Sequence, residues 1–134
     1  MTTEAGIVTK LVAGPVSGAV ARFTAILREK NVTVFAVIDQ AEAARAAGLG
    51  LRDTTLVVFG NPSVGTPVMN AAPLAALDLP LKVVIWDDAG QTKVSYYSPE
   101  VIAGRYGLPA DLAAKLAAIN PLTDALAGPA PRNH

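Results

Sequence analysis

The stretch from Leu56 to Leu81, LVVFGNPSVGTPVMNAAPLAALDLPL, constrains the fold more than any other part of the chain. Its unbroken apolar run, Leu56 to Phe59, is typical of a buried strand. The run ends at Gly60-Asn61-Pro62, where an N-cap residue precedes a proline, and the same pairing recurs at Thr66-Pro67. The stretch therefore predicts a buried strand that leads into short, capped helices before another strand begins after Pro80.

The composition limits the class of protein. With 134 residues, the chain is predicted to form a single domain over 1–134, with a frayed tail from about 128 to 134. Hydrophobic residues make up 51% of the chain and charged residues only 16%, so we expect apolar surface to pair with a second copy in a homodimer. Lysine plus arginine balance aspartate plus glutamate at eleven each, and nucleic acid is therefore not an expected partner.

Several common chemistries lack the residues that they need. The sequence has no cysteine, and its one histidine is His134, so we expect neither metal binding nor histidine-based catalysis, and no cofactor. The start, MTTEAGIVTK, does not resemble a signal peptide, and no apolar run reaches the length of a membrane span. We therefore expect a cytoplasmic protein without a membrane partner.

Hydrophobic periodicity predicts the element order β-α-β-α-β-α-β-β-α-α. The predicted class is α+β, with a mixed sheet of about five strands, a β-hairpin, and helices packed mainly on one face. Specific predictions within this order are a strand over Ile7–Ala13, a helix capped by Ser17, an interior strand over Val32–Asp39, a central strand over Thr54–Phe59, and a hairpin over Leu81–Tyr97.

The strand-to-helix corner is the first candidate site. A buried strand that runs into a helix leaves main-chain N–H groups at the helix N-terminus, which favours an anion or a carboxylate. Gly60 would allow close approach, and Asn61, Ser63 and Thr66 would add polar side chains. The alternative is that Asn61 and Thr66 only cap their own helices.

A second candidate group lies on the predicted hairpin. Lys82 and Trp86 alternate onto one face, and either Tyr96 or Tyr97 can join them to orient a polar ligand. The alternative is cross-strand aromatic packing beside a lysine whose stem lies along the surface. Asp39 is interpreted first as a helix cap, and second as a catalytic acid.

The runs FGNPSVGTPVM, ALDLPLKVVIWDD and VSYYSP resemble the DUF302 family, the TT1751-like domain. The resemblance covers nearly the whole chain, since VTVFAVIDQAEAARAAGL is also similar to the family's second strand and helix. This family consists of small bacterial and archaeal proteins of unknown function. The resemblance implies a compact α+β fold that is commonly dimeric and has no established reaction.

The departures from the family pattern are informative. Members commonly carry an Asp-His pair after the second strand, a Tyr-Asn pair after the hairpin, and an Arg-His pair late in the following helix. This chain has Asp39-Gln40, Tyr96-Tyr97 and Arg105-Tyr106 at those positions. Any activity of relatives that needs these histidines should therefore be lost here.

Three hypotheses follow. The first is a homodimeric domain that binds a small polar or anionic ligand near Gly60, Asn61 and Ser63, with Lys82 or Tyr96 assisting. The second is a weak enzyme that uses Asp39, Lys82 and Tyr96 as its acid/base groups. The third is a structural or protein-interaction module whose function is its apolar surface.

Overall fold

The computed structural model describes residues 2–128 and builds them around one antiparallel sheet. Within these residues the sheet has six strands in the order β1-β2-β6-β5-β4-β3. The strands are β1 (Thr2–Glu4), β2 (Ile7–Val12), β3 (Thr33–Asp39), β4 (Thr54–Gly60), β5 (Leu81–Asp88) and β6 (Gln91–Tyr97).

The helices form two groups. They are α1 (Val16–Glu29), α2 (Gln40–Ala46), α3 (Pro62–Ala71), α4 (Pro99–Tyr106), α5 (Ala110–Leu116) and α6 (Ile119–Ala127), with a 3₁₀ turn over Pro73–Leu77. Helices α1 and α6 pack on one face of the sheet and enclose the main core, in which Phe23 meets Phe59 edge to face. A smaller apolar cluster joins α3, α4, α5 and the 3₁₀ turn.

The predicted α+β class is confirmed, and the sheet has one strand more than the expected number of about five. One detail is wrong, because the sheet is antiparallel at every pairing rather than mixed. The additional strand, β1, forms a hairpin with β2 through Ala5 and Gly6, whose φ angles are positive. The short α2 also returns the chain beside β3, so that β4 pairs with β3 in the antiparallel sense.

The predicted positions of two strands are also wrong. β3 was expected inside the sheet but lies at its edge, and β4 is the next strand inward rather than the central one. Phe35, Val37 and Ile38 of β3 are exposed as a result. Apolar side chains on both faces indicate an interior strand only when both faces are covered and a strand lies on each side, and one side of β3 is open.

Most of the predicted turns and caps are confirmed. The β5–β6 hairpin turns at Ala89-Gly90, and Asp39 caps α2 by accepting a hydrogen bond from the Glu42 amide at 2.9 Å. Ser17, however, is not a cap, because α1 begins at Val16 after Pro15. The expected tail lies, from residue 129 onward, outside the described residues.

Candidate functional site

The main-chain N–H groups at the corner between β4 and α3 are hydrogen-bonded within the corner itself. Asn61 accepts the Ser63 amide on its side-chain oxygen at 2.9 Å, and its carbonyl accepts the Val64 and Gly65 amides at 2.8 and 2.9 Å. Pro62, the first residue of the helix, has no N–H to offer. The helix terminus therefore lacks the unpaired donors on which an anion site would depend.

A cavity of about 210 Å³ lies directly beside this corner. It opens where the smaller apolar cluster meets the end of the sheet, and carbon atoms dominate its wall. The lining residues are Phe35, Gly60, Asn61, Pro62, Val64, Gly65, Thr66, Met69, Leu79, Pro80, Leu81 and Leu116. We call this space the corner cavity.

A β-bulge brings Phe35 to the corner cavity. The register between β3 and β4 shifts between Val34 and Ala36, so Phe35 is an additional residue on β3. Bulges redirect a side chain from the regular alternation of a strand. The Phe35 ring lies close to Gly60, where an added Cβ would stand 3.4 Å from Phe35 Cε2 and 3.4 Å from Pro80 Cβ.

Three of the four predicted corner residues line the cavity. Gly60 and Asn61 do so at the end of β4, and Thr66 does so from within α3. The helix runs without a break through Thr66-Pro67, so the second cap expected at Thr66 is wrong. Ser63 is exposed and is not part of the cavity wall.

The remaining predicted residues, Asp39, Lys82 and Tyr96, are dispersed. Asp39 pairs with Thr55 at one end of β4, and Lys82 pairs with Val58 on the other side of that strand. Two strand spacings and three residues of rise place the Asp39 and Lys82 Cα atoms roughly 14 Å apart. Their separation leaves no common reacting atom for an acid/base pair.

Lys82 and Tyr96 lie on opposite faces of the sheet. Lys82 alternates with the core residue Val83 and therefore lies on the face that α1 and α6 leave open, where its ammonium donates to the Pro80 carbonyl at 3.1 Å. Tyr96 is buried on the helix-covered face. Tyr97, the neighbour of Tyr96, is on the same face as Lys82 and is exposed.

The open face shows the cross-strand packing that was the alternative interpretation. Trp86 donates its indole N–H to Ser95 Oγ at 3.0 Å, and Ser95 Oγ lies 2.8 Å from Thr9 Oγ1. The lysine over the Trp86 ring is Lys93, at 5.6 Å from the ring centroid, and its ammonium also pairs with Asp88. Local contacts thus account for these side chains.

Tyr96 belongs to a polar network that we call the Lys10 network, formed by buried Lys10, Tyr96 and Thr123 with half-buried Asn120 and exposed Asp124. Lys10 donates to Thr123 Oγ1 at 2.6 Å and to the Asn120 carbonyl at 3.1 Å, and pairs with Asp124 at 2.8 Å. Tyr96 donates its hydroxyl to Asn120 Oδ1 at 2.7 Å. Each polar group contacts another across the β2–β6–α6 interface, so the network fastens α6 to the sheet.

A second polar cluster lies near the 3₁₀ turn. Tyr106 and Arg105 of α4 both donate to Asp78 Oδ2. The hydrogen bond from Tyr106, followed by that from Arg105, lowers the pKa of Asp78 below its ordinary value. The same bond to Asp78, together with desolvation, raises the pKa of Tyr106, so the hydroxyl keeps its proton.

Among residues 2–128, no group of three or more histidine, cysteine, aspartate and glutamate side chains is arranged to hold a metal ion. In the same part of the chain, no helix combines the length and the apolar character needed to cross a bilayer.

The comparison with family models decides the classification. The model of the domain of unknown function DUF302 matches residues 8–126, which include all of the lining of the corner cavity. This chain belongs to the DUF302 family. The resemblance found in the FGNPSVGTPVM and ALDLPLKVVIWDD runs is therefore confirmed.

Solved and curated relatives extend this result. The crystal structure of an uncharacterized conserved DUF302 protein from Bacillus stearothermophilus is similar in fold, with a TM-score of 0.79 and 22% identity over 92% of this chain and 97% of that one. Curated relatives include fluoride-specific ion channels FluC 1 from Brucella suis and Brucella abortus, each 34% identical over 115 residues. The chain spans less than half the length of these channels, at 45% and 43%.

Several residues of the corner cavity were not predicted from the sequence. Phe35, Met69 and Leu116 line the cavity from β3, α3 and α5, and none carries a chemical signature of a site. Met69 lies four residues after Gly65, and this spacing was the available signal that both face the same side of α3. The Lys10 network and the Asp78 cluster were also missed, because their members are far apart in the chain.

Proposed function

We propose that this DUF302 domain is a homodimeric binding domain, and that the corner cavity accepts the apolar part of a small ligand. The observation that carries the proposal is a cavity of about 210 Å³ with an apolar wall, beside a loop whose donors are already used. A dry cavity of about 150 Å³ is large enough for benzene, so a small ring or a short aliphatic group fits this volume.

The wall determines the class of ligand. Asn61 and Thr66 are the polar side chains of the lining, Asn61 as the N-cap of α3 and Thr66 from within the helix. The side-chain oxygen of Asn61 accepts the capping hydrogen bond from the Ser63 amide, and the Nδ2 amide of Asn61 is a donor. We therefore replace the expected anionic ligand with a mainly apolar one that carries a polar group near Asn61.

A titration followed by amide resonances tests this assignment. Benzene, inorganic phosphate and sodium fluoride would be added separately to ¹⁵N-labelled protein, because they represent apolar and anionic ligands. We expect benzene to shift the resonances of Val64, Gly65 and Met69 with saturation, and phosphate and fluoride to leave them unchanged. Saturable shifts with the anions and none with benzene would contradict the proposal and restore the anion hypothesis.

A matched pair of glycine substitutions provides the control. Gly60→Val places methyl groups between Phe35 and Pro80, whereas an added Cβ at Gly50 has no atom within 4 Å. Benzene should therefore lose at least about tenfold in affinity with Gly60→Val and none with Gly50→Val. Gly65→Ala narrows the cavity more gently, since its Cβ would lie 3.6 Å from Met69 Cε, and it keeps the test valid if Gly60→Val fails to fold.

The other hypotheses have less geometric support. The enzyme hypothesis needs Asp39, Lys82 and Tyr96 around one space, and they lie on different strands and faces. The name of the Brucella relatives describes channels of which the match covers less than half, and the fluoride arm of the titration tests whether fluoride binds at the corner cavity. The cytoplasmic location stays a prediction, which cell fractionation would check.

A further inference from the structure

A groove on the open face of the sheet shares no residue with the corner cavity. Its volume is about 360 Å³, and its lining residues are Ile7, Thr9, Thr54, Val84, Trp86 and Ser95. They come from four neighbouring strands, β2, β6, β5 and β4. We call this space the Trp86 groove. Its volume lies within the usual range of small-molecule sites.

The strand register explains how these side chains meet. Ser95 pairs with Thr9 on one side and with Val84 on the other, so the three form a row across the sheet. Thr54 and Trp86 pair with each other in the next row. Alternation along each strand turns all five toward the open face. The groove therefore combines aliphatic, indole and hydroxyl groups on one surface.

The two hydroxyls beside Trp86 have a donor to spare. Trp86 donates its indole N–H to Ser95 Oγ, which lies 2.8 Å from Thr9 Oγ1. The indole and the two hydroxyls carry three donor protons, and these two contacts use two of them. Among residues 5–128, no further group accepts a hydrogen bond from either hydroxyl. One hydroxyl proton is therefore left for an acceptor in the groove.

The charges on this side of the sheet leave one cation without a carboxylate. Lys93 pairs with Asp88 at 2.7 Å, and Arg105 pairs with Asp78 at 2.7 Å. Lys82 forms no ion pair within residues 5–128. It lies on β5, two residues from the groove, which is about 7 Å along the strand. The surroundings of the groove are therefore complementary to a single negative charge.

We infer that the Trp86 groove binds a small aromatic carboxylate whose ring bears a hydrogen-bond acceptor. The ring packs beside Val84 and the Trp86 indole, since aromatic rings favour offset or edge-to-face contact. The ring acceptor takes the spare proton of the Thr9–Ser95 pair, and the carboxylate accepts from the Lys82 ammonium. One cation suits one carboxylate better than the phosphate chain of a nucleic acid. This site does not depend on the function proposed for the corner cavity.

Tryptophan fluorescence reports directly on the groove, because Trp86 is the only tryptophan of the chain. Nicotinate would be titrated into the protein, with nicotinamide as its uncharged counterpart. We expect nicotinate to change the emission with saturation, and nicotinamide to bind about three- to tenfold more weakly because it has no charge for Lys82. Equal quenching by both compounds without saturation would indicate collisions alone and would overturn the inference.

Lysine variants test the carboxylate contact. Lys82→Met should weaken nicotinate binding about three- to tenfold, and Lys82→Arg should restore it because the charge is kept. Lys115→Met, at an exposed position on α5, should have no effect. Far-ultraviolet circular dichroism would establish that each variant is folded. Unchanged nicotinate binding in folded Lys82→Met would contradict the inference.

Benzoate tests the ring acceptor. It has the charge and the ring size of nicotinate but no ring nitrogen, so it should bind about three- to tenfold more weakly. Benzoate binding as tight as that of nicotinate would contradict the role of the spare proton.

The corner variant separates the two sites. Gly60→Val lies outside the Trp86 groove and should leave nicotinate binding unchanged, and Gly65→Ala replaces it if Gly60→Val fails to fold. Loss of nicotinate binding in the corner variant but not in Lys82→Met would place the ligand in the corner cavity and overturn the inference. Nicotinate binding without benzene binding would refute the proposed function alone.

Discussion

The Lys10 network and the corner cavity each contain predicted site residues, Tyr96 in the network and Gly60 with Asn61 at the cavity, yet only the cavity leaves an open space. In the Lys10 network, ammonium, phenol, amide and hydroxyl groups contact one another across the sheet–helix interface. At the corner cavity, polar groups complete a helix cap and apolar groups surround an opening. The Lys10 network therefore stabilises the fold, whereas the corner cavity has room for a ligand.

Lys10→Ala should cause the largest loss of stability while leaving the cavity unaffected. The change removes three polar contacts and the packing of a side chain that is only 8% exposed. We expect the free energy of unfolding to fall by about 2–3 kcal/mol. Urea denaturation would measure it, with the exposed Lys115→Ala as control. A change of benzene affinity of more than twofold would contradict the claim that the Lys10 network acts on stability alone.

Tyr96→Phe tests whether Tyr96 has any role besides holding α6. Without its hydroxyl, Asn120 Oδ1 loses its donor and Thr123 loses a neighbour. The expected cost is about 1–2 kcal/mol, measured by urea denaturation. Loss of ligand binding with little loss of stability would show that Tyr96 belongs to the binding site, as the sequence predicted.

The Asp78 cluster predicts a pH dependence with a definite sign. Because the folded state lowers the pKa of Asp78, its contribution is present above the unfolded value, near pH 4, and is lost as the pH falls through the folded pKa. Tyr106→Phe should therefore lower the free energy of unfolding at pH 7, because ionised Asp78 loses this hydrogen bond. In denaturation series from pH 7 to pH 2, the difference from the parent chain should shrink below about pH 4. A difference that stays constant would show that the charge of Asp78 is not involved.

Gly65→Ala should have the smallest effect on stability, and in the opposite direction. Gly65 lies inside α3, where alanine is favoured over glycine, and its new Cβ would make an ordinary contact with Met69. We expect thermal denaturation to show stabilisation of about 0.5–1 kcal/mol, together with weaker benzene binding because the cavity is narrower. Stabilisation with unchanged benzene binding would show that the ligand does not bind beside Met69.

Local sequence signals predicted the parts of this fold that depend on local chemistry. Asn61-Pro62 and Asp39 were identified as helix starts, because a side-chain oxygen that accepts a nearby amide requires no distant partner. The position of β3 could not be predicted in the same way. An apolar strand looks alike whether its neighbour belongs to the same chain or to another copy.

The candidate site was predictable in location but not in character. Gly60 and Asn61 indicated where the corner lies. The hydrogen bonds that satisfy the α3 amides depend on the cap geometry, which the sequence does not give. The corner cavity depends on Phe35, Met69 and Leu116, which come from three different elements. The bulge at Phe35 shifts the register between β3 and β4 by one residue, and no sequence pattern within β3 predicts this shift. Polar residues such as Tyr96 attracted attention by type, although their partners lie in distant α6.

Crystals of the protein pressurised with xenon would test the central claim most directly, since xenon occupies accessible apolar cavities and does not bind anion sites. We predict an anomalous peak inside the corner cavity, between Gly60, Met69 and Leu116. Gly60→Val should remove that peak. A corner without xenon, in crystals that take up xenon elsewhere, would contradict the claim that this cavity is a binding site for apolar groups.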